Sequence, residues 1–193
     1  MTTIVGLFHY ADNAQELIDL LTAGGYQPEQ IGVIVPQHAR TSRGEPAYRP
    51  DAAGAAAGVG GATGSAVMSG LDRLMFGLEG LLITGIGPAM GSPMIAVPLA
   101  PALSEREHGK RNVALHEVLA NRGVPPKDAE VYAEGVKRGG VLVAVDTDEP
   151  ARVRSMMLEQ NAADVDALRK RWEHEGWQRF DVETPAGPHY PAF

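Results

Sequence analysis

The sequence predicts a mixed α/β (α+β) domain of the ferredoxin-like kind, in which two β-α-β halves form one four-stranded sheet with helices on one face. Three observations lead there. A strand–helix–strand unit opens the chain within residues 1–36. A second strand–helix–strand pattern follows from residue 141. A Gly/Ala/Pro-rich stretch lies between them. The expected domain is therefore discontinuous: residues 1–36 with 123–180, an insert over 37–122, and an extended C-terminal tail over 181–193 carrying Pro185, Pro188 and Pro191.

In the first half, Thr3–Phe8 is β-branched and apolar and reads as a buried strand. Asp12 and Asn13 are N-cap candidates, with Gln15 and Glu16 at capping-box distance. Ala14, Leu17, Ile18 and Leu21 recur with the spacing of one helix face. Gly24 and Gly25 supply a left-handed C-cap. Ile31–Val35 is the next strand, stopped by Pro36.

The second half repeats the plan. Val141–Val145 is a strand led in by Gly139 and Gly140. Asp148 is placed to cap a helix with Pro150 in its first turn, where no N–H bond is lost. Val153, Met156 and Met157 form its apolar stripe, and Asn161 is its expected C-cap. Asp164–Leu168 alternates and is expected to be a short strand. Upstream, Asn112–Asn121 patterns as a helix ended by Gly123. A further helix follows Val124-Pro125-Pro126, with Asp128 and Glu130 near its positive N-terminus and Ala129, Tyr132, Ala133 and Val136 on its apolar face.

The insert begins with a polar, Pro-punctuated loop over Gln37–Ala53. In the stretch that follows, Gly54, Gly58 and Gly61 share one helical face. Glycine costs helix stability but permits close backbone approach. This segment is thus expected to lean on a partner, which is Ser69–Leu82, the sheet or another subunit, either as a close-packed hairpin or as an interface. Gly80–Ser104 carries no charge, yet Pro88, Pro93, Pro98 and Pro101 make a regular spanning helix hard to build. Ser104–Arg122 is strongly charged. No basic n-region or long apolar core opens the chain, so no signal peptide is expected.

Composition narrows the function classes. The 193 residues hold no cysteine, which removes disulfides, thiolate metal sites and a cysteine nucleophile. Asp and Glu number 24 against 17 Lys and Arg, a formal charge of −7 that disfavours nucleic-acid binding. Arg169-Lys170-Arg171 reads as a solvated face. His116-Glu117 begins like a zinc-protease helix, but Ala120 stands where the second histidine would be. Gly85-Ile-Gly87-Pro-Ala-Met-Gly91 is off by one from a dinucleotide fingerprint and Pro88 occupies the turn. No catalytic set, metal site or cofactor is therefore expected. His9 and Tyr10, at the end of the first strand, are the most site-like pair, with Tyr132 as a third candidate for a ligand pocket. Trp172 and Trp177 are candidate interface anchors, or anchors of the C-terminal segment to the body.

Several stretches together carry a family resemblance: the opening unit around Ala23-Gly24-Gly25, the Gly/Ala-rich middle ending Gly85-Ile-Gly87-Pro88, and the run from Gly123 to Val145. Within that run, Pro125, Ala129 and Tyr132 lead into Gly139-Gly140 and a strand. Ala163-Asp-Val-Asp166, Trp172 and Gly176-Trp177 add to it. Over most of its length the chain resembles the bacterial heat-induced general stress proteins of the YflT type. The resemblance implies a stress-associated protein and supplies no catalytic residues to carry over. The expectation is a cytoplasmic, non-catalytic stress-response protein acting through protein–protein contacts, as a homo-oligomer. The alternatives are a membrane-associated stress protein using the insert, and a small-ligand sensor or enzyme with a pocket near His9 and Tyr10.

Overall fold

A computed structural model describes residues 1–47, 79–95 and 114–183. In chain order these form β1 (Thr2–Phe8), α1 (Ala11–Ala23), a 3-10 turn (Pro28–Gln30), β2 (Ile31–Pro36), β3 (Glu79–Ile83), β4 (Gly87–Gly91), α2 (Leu115–Asn121), α3 (Pro126–Lys137), β5 (Val141–Thr147), α4 (Pro150–Glu159) and α5 (Val165–His174). The strands make one antiparallel five-stranded sheet in the order β1-β5-β2-β4-β3. Val145 of β5 lies opposite Ile4 on one side and Ile31 on the other, so β5 separates the parallel strands β1 and β2 that α1 joins.

Strict alternation along three strands builds two cores. Ile4 and Phe8 of β1, Ile31, Val33 and Val35 of β2, and Val141, Val143 and Val145 of β5 pack beneath α1 and α4. Leu7, Ile34, Leu142 and Ala144 face the opposite way, under α2, α3 and α5. Because side chains alternate with period two, a strand buried on both faces must be apolar at successive positions. That explains the unbroken run Val141–Val145. It also corrects the expectation of helices on one face: the sheet is covered on both.

Three further expectations change. The sheet has five strands rather than four, since β3 and β4 come from within the insert. The described parts of the insert thus share the sheet and core with residues 1–36 and 123–180; the boundaries at 36/37 and 122/123 do not divide the fold. Finally, Asp164–Leu168 is not a strand. Asp164 is the N-cap of α5 and its carboxylate accepts from the Ala167 N–H at 3.0 Å. Val165, Leu168, Arg169 and Trp172 follow at helical spacing, and Leu168 and Trp172 are buried.

Close approaches are made where glycine stands. A methyl group added to Gly135 in α3 would meet three atoms of the Leu7 side chain, with Cδ1 at 3.0 Å and Cγ at 3.2 Å and Cδ2 nearer still. At Gly32 in β2 it would stand 2.8 Å from Ile95, so the helical residues 93–95 lie directly on the strand. Helix ends follow the sequence only in part. Gly25 (φ 91°) and Asn161 (φ 60°) take the left-handed conformation after α1 and α4. The N-cap of α1 is Tyr10, without a side-chain cap. Asp12 is in the first turn and accepts from both the N–H and the hydroxyl of Ser42, tying down the loop after β2.

Candidate functional site

His9 and Tyr10 stand where β1 gives way to α1. Their rings meet edge to face with centroids 4.2 Å apart. Tyr10 is exposed and His9 half-buried. Burial, and then the Arg171 guanidinium of α5, holds the His9 imidazole below its ordinary pKa. At neutral pH it is an uncharged ring beside a cation.

Tyr132 does not join this pair. Its hydroxyl donates to the Val5 carbonyl at 2.9 Å. Val5 lies four residues before His9, about 13 Å along an extended strand. Burial, and then the Asp128 carboxylate, pushes the phenol far above its ordinary pKa, with Arg154 opposing. Tyr132 is a neutral donor used structurally. The same edge of β1 is met by a second donor, the Ala163 N–H, which reaches the Leu7 carbonyl at 2.8 Å. Together they occupy the side of β1 on which a further strand would pair.

Trp172 is fully buried in this chain's own core, its ring edge to face with Trp177 at 5.9 Å and beneath the Arg138 guanidinium at 4.6 Å. It has no exposed surface to offer a partner, so the interface role is withdrawn for Trp172 and the anchoring role stands. Trp177 is half-buried against the same core. Gly54, Gly58 and Gly61 lie outside the described residues.

Polar networks that the sequence did not signal sit elsewhere. Arg122 bridges Asp146 Oδ2 at 3.0 Å and the Met94 carbonyl at 2.8 Å, and Asp146 also accepts from the Thr3 hydroxyl at 2.6 Å. This joins β1, β5, the end of α2 and residues 93–95. Arg138 pairs with Glu134 at 2.8 Å and Glu175 at 3.1 Å. The ionic spacing of Glu134 and Arg138 was readable as i, i+4; the burial of Glu134 was not. A surface cleft of about 220 Å³ lies between the C-terminal end of α1 and the start of α4, lined by Gly24, Tyr26, Thr147, Glu149 and Arg152 among others. Within it, Tyr26 bonds Thr147 at 2.9 Å and Arg152 bonds Glu149 at 2.9 Å.

Among the described residues no three His, Asp or Glu side chains converge as metal ligands. No helix among them is long and apolar enough to cross a membrane. Compared with protein-family models, curated proteins and solved structures, the chain matches none of them.

Proposed function

We propose that the protein is a cytoplasmic, non-catalytic general stress-response protein that acts through protein–protein contacts and self-association. The observation that carries this reading is the unequal treatment of the two sheet edges. The chain covers the edge at β1 with Tyr132 and Ala163. At the other edge, among the described residues, β3 pairs only inward with β4 and carries Leu82 more than half exposed. A strand edge is a template for pairing, and proteins that have no use for one usually cover it. The contact surface is therefore assigned to the β3 side, where the Gly/Ala-rich insert enters the sheet. The resemblance to heat-induced general stress proteins supplies the cellular setting. A ferredoxin-like kinship is favoured by the split β1–α1–β2 unit with β5 between its strands.

Size-exclusion chromatography with light scattering tests the reading. The native chain is expected to form a defined oligomer that Leu82→Lys weakens without changing the circular dichroism. A strict monomer at high concentration overturns it. A ligand-sensing reading rests on one observation, the half-buried His9 ring edge to face with Tyr10 and under the field of Arg171. A thermal shift with metals, nucleotides or haem that His9→Ala abolishes would favour it over the contact reading.

A further inference from the structure

Lys137 is the last residue of α3 and is only 2% exposed. Its ammonium donates to the Asp181 carbonyl at 3.0 Å and lies 5.5 Å from the Phe180 ring centroid. Among the described residues it forms no ion pair. An ammonium is costly to bury, and one carbonyl, one ring face and the C-terminal end of a helix compensate it only in part. The Phe180 ring also meets His116, with centroids 5.5 Å apart and the rings tilted. His116 Nδ1 is buried and has no hydrogen-bond partner among the described residues.

What covers both groups is a segment without regular structure. Between Gln178 and Glu183, Phe180 alone is buried. On α3, Lys137 bonds the Asp181 carbonyl and Glu130 Oε2 accepts from the Phe180 N–H at 3.4 Å. The segment crosses the β3–β4 turn at Gly85, where an added methyl group would stand 2.8 Å from Val182 Cα. A short, mostly exposed segment without regular structure, with Phe180 as its one buried side chain, belongs to the low-stability end of a fold.

We propose that residues 179–183 are a strap that opens locally by release of Phe180, and that the vacated slot, flanked by Lys137 and His116, receives a small aryl or alkyl carboxylate. The slot is shaped by a phenyl ring and its cation already holds a carbonyl oxygen, so a carboxylate joined to an apolar group matches it. Glu130 at the rim disfavours polyanions. The inference rests on this chain's packing and is independent of the contact function proposed above.

Amine acylation of the full chain, read residue by residue by mass spectrometry, tests it. The exposed Lys127 and Lys170 are internal references. Lys137 is expected to react about 10- to 100-fold more slowly than they do, as one charge-assisted hydrogen bond would give. Its protection should still fall well below the hydrogen-exchange protection of the Val143 amide in the sheet. Phe180→Ala should remove most of the protection while leaving Val143 unchanged. Should that variant fail to fold, Phe180→Leu should lower the protection in part. Phenylacetate should slow acylation of Lys137 and spare Lys127, whereas the neutral phenethyl alcohol should not. Lys137 protection equal to that of Val143 would overturn the strap. Equal effects of phenylacetate and the alcohol would overturn the carboxylate slot.

Discussion

Replacing Gly135 by alanine sets two opposing terms against each other. In a solvated helix the change stabilises, by about 1 kcal/mol, because alanine restricts the unfolded chain and suits the helix. Here the new methyl group meets Leu7 Cδ1 at 3.0 Å and Cγ at 3.2 Å, with Cδ2 closer. Unstrained carbon contacts are about 3.5–4.0 Å, so the whole isobutyl group must withdraw. Leu7 is fully buried between α3 and the sheet and has no free direction to move. Overpacking of this kind costs about 1–3 kcal/mol, and engagement of three atoms places it in the upper part of that range. The expected net loss is about 1–2 kcal/mol, or about 2–8 °C in Tm for a chain of this size. Urea denaturation followed by circular dichroism measures it. The control is the same substitution in Leu7→Ala, itself expected to cost about 2–5 kcal/mol. With the isobutyl group gone, Gly135→Ala should become neutral or stabilising by up to about 1 kcal/mol. A stabilising Gly135→Ala in the native background would refute the close-approach argument. So would the same effect in both backgrounds, since residues in contact must couple.

Other expectations follow from single contacts. Tyr132→Phe leaves the Val5 carbonyl without its donor and should cost about 0.5–1.5 kcal/mol near neutral pH. Because burial raises the Tyr132 pKa in the folded state, its contribution is present below the unfolded value of about 10 and declines as pH rises beyond it. Alkaline denaturation should therefore be steeper for the native chain than for Tyr132→Phe, and parallel curves would contradict the assignment. His9 has the opposite sign: its folded pKa is lowered, so its contribution is present above about pH 6.5 and is lost as pH falls through the folded value. Stability between pH 7 and 5 should drop less in His9→Gln, and Arg171→Gln should raise the His9 midpoint in an NMR titration while leaving it below the ordinary value. Asp164→Ala removes the cap of α5 and should cost about 0.5–2 kcal/mol by urea melting; no loss would mean that the Ala167 N–H finds another acceptor.

The parts of the fold that could be read directly were those whose local pattern has one solution. β1, α1 and β2 combine a β-branched run, a helical apolar face and a Gly24-Gly25 stop, and each lies where the spacing put it. So do α3, β5 and α4. Asp164–Leu168 fits both periods over five residues, and the alternation misled; only the extension to Trp172 and the capping carboxylate settle it as helix. β3 and β4 gave little local signal. Each is five residues long and contains glycine, with Pro88 among them; β4 is held by pairing with β2, far away in the chain, and β3 by pairing with β4. The candidate site divides in the same way. The adjacency of His9 and Tyr10 is a local fact, readable in two consecutive residues. The removal of Tyr132 from that pair and the enclosure of Lys137 depend on hydrogen bonds across 127 and 44 positions, to Val5 and Asp181, and Trp172 is buried in a core drawn from elements far apart in the chain.

Periodicity states which faces of an element are apolar. It does not state which element will cover them, because hydrophobic burial is non-directional and any apolar face of suitable shape satisfies it. The order of the strands, the two-sided cover of the sheet and the closing of the β1 edge were therefore decided by long-range packing. The residues that make those choices, Gly135 against Leu7 and Tyr132 against Val5, look ordinary in the sequence and acquire their roles only when α3 and β1 meet.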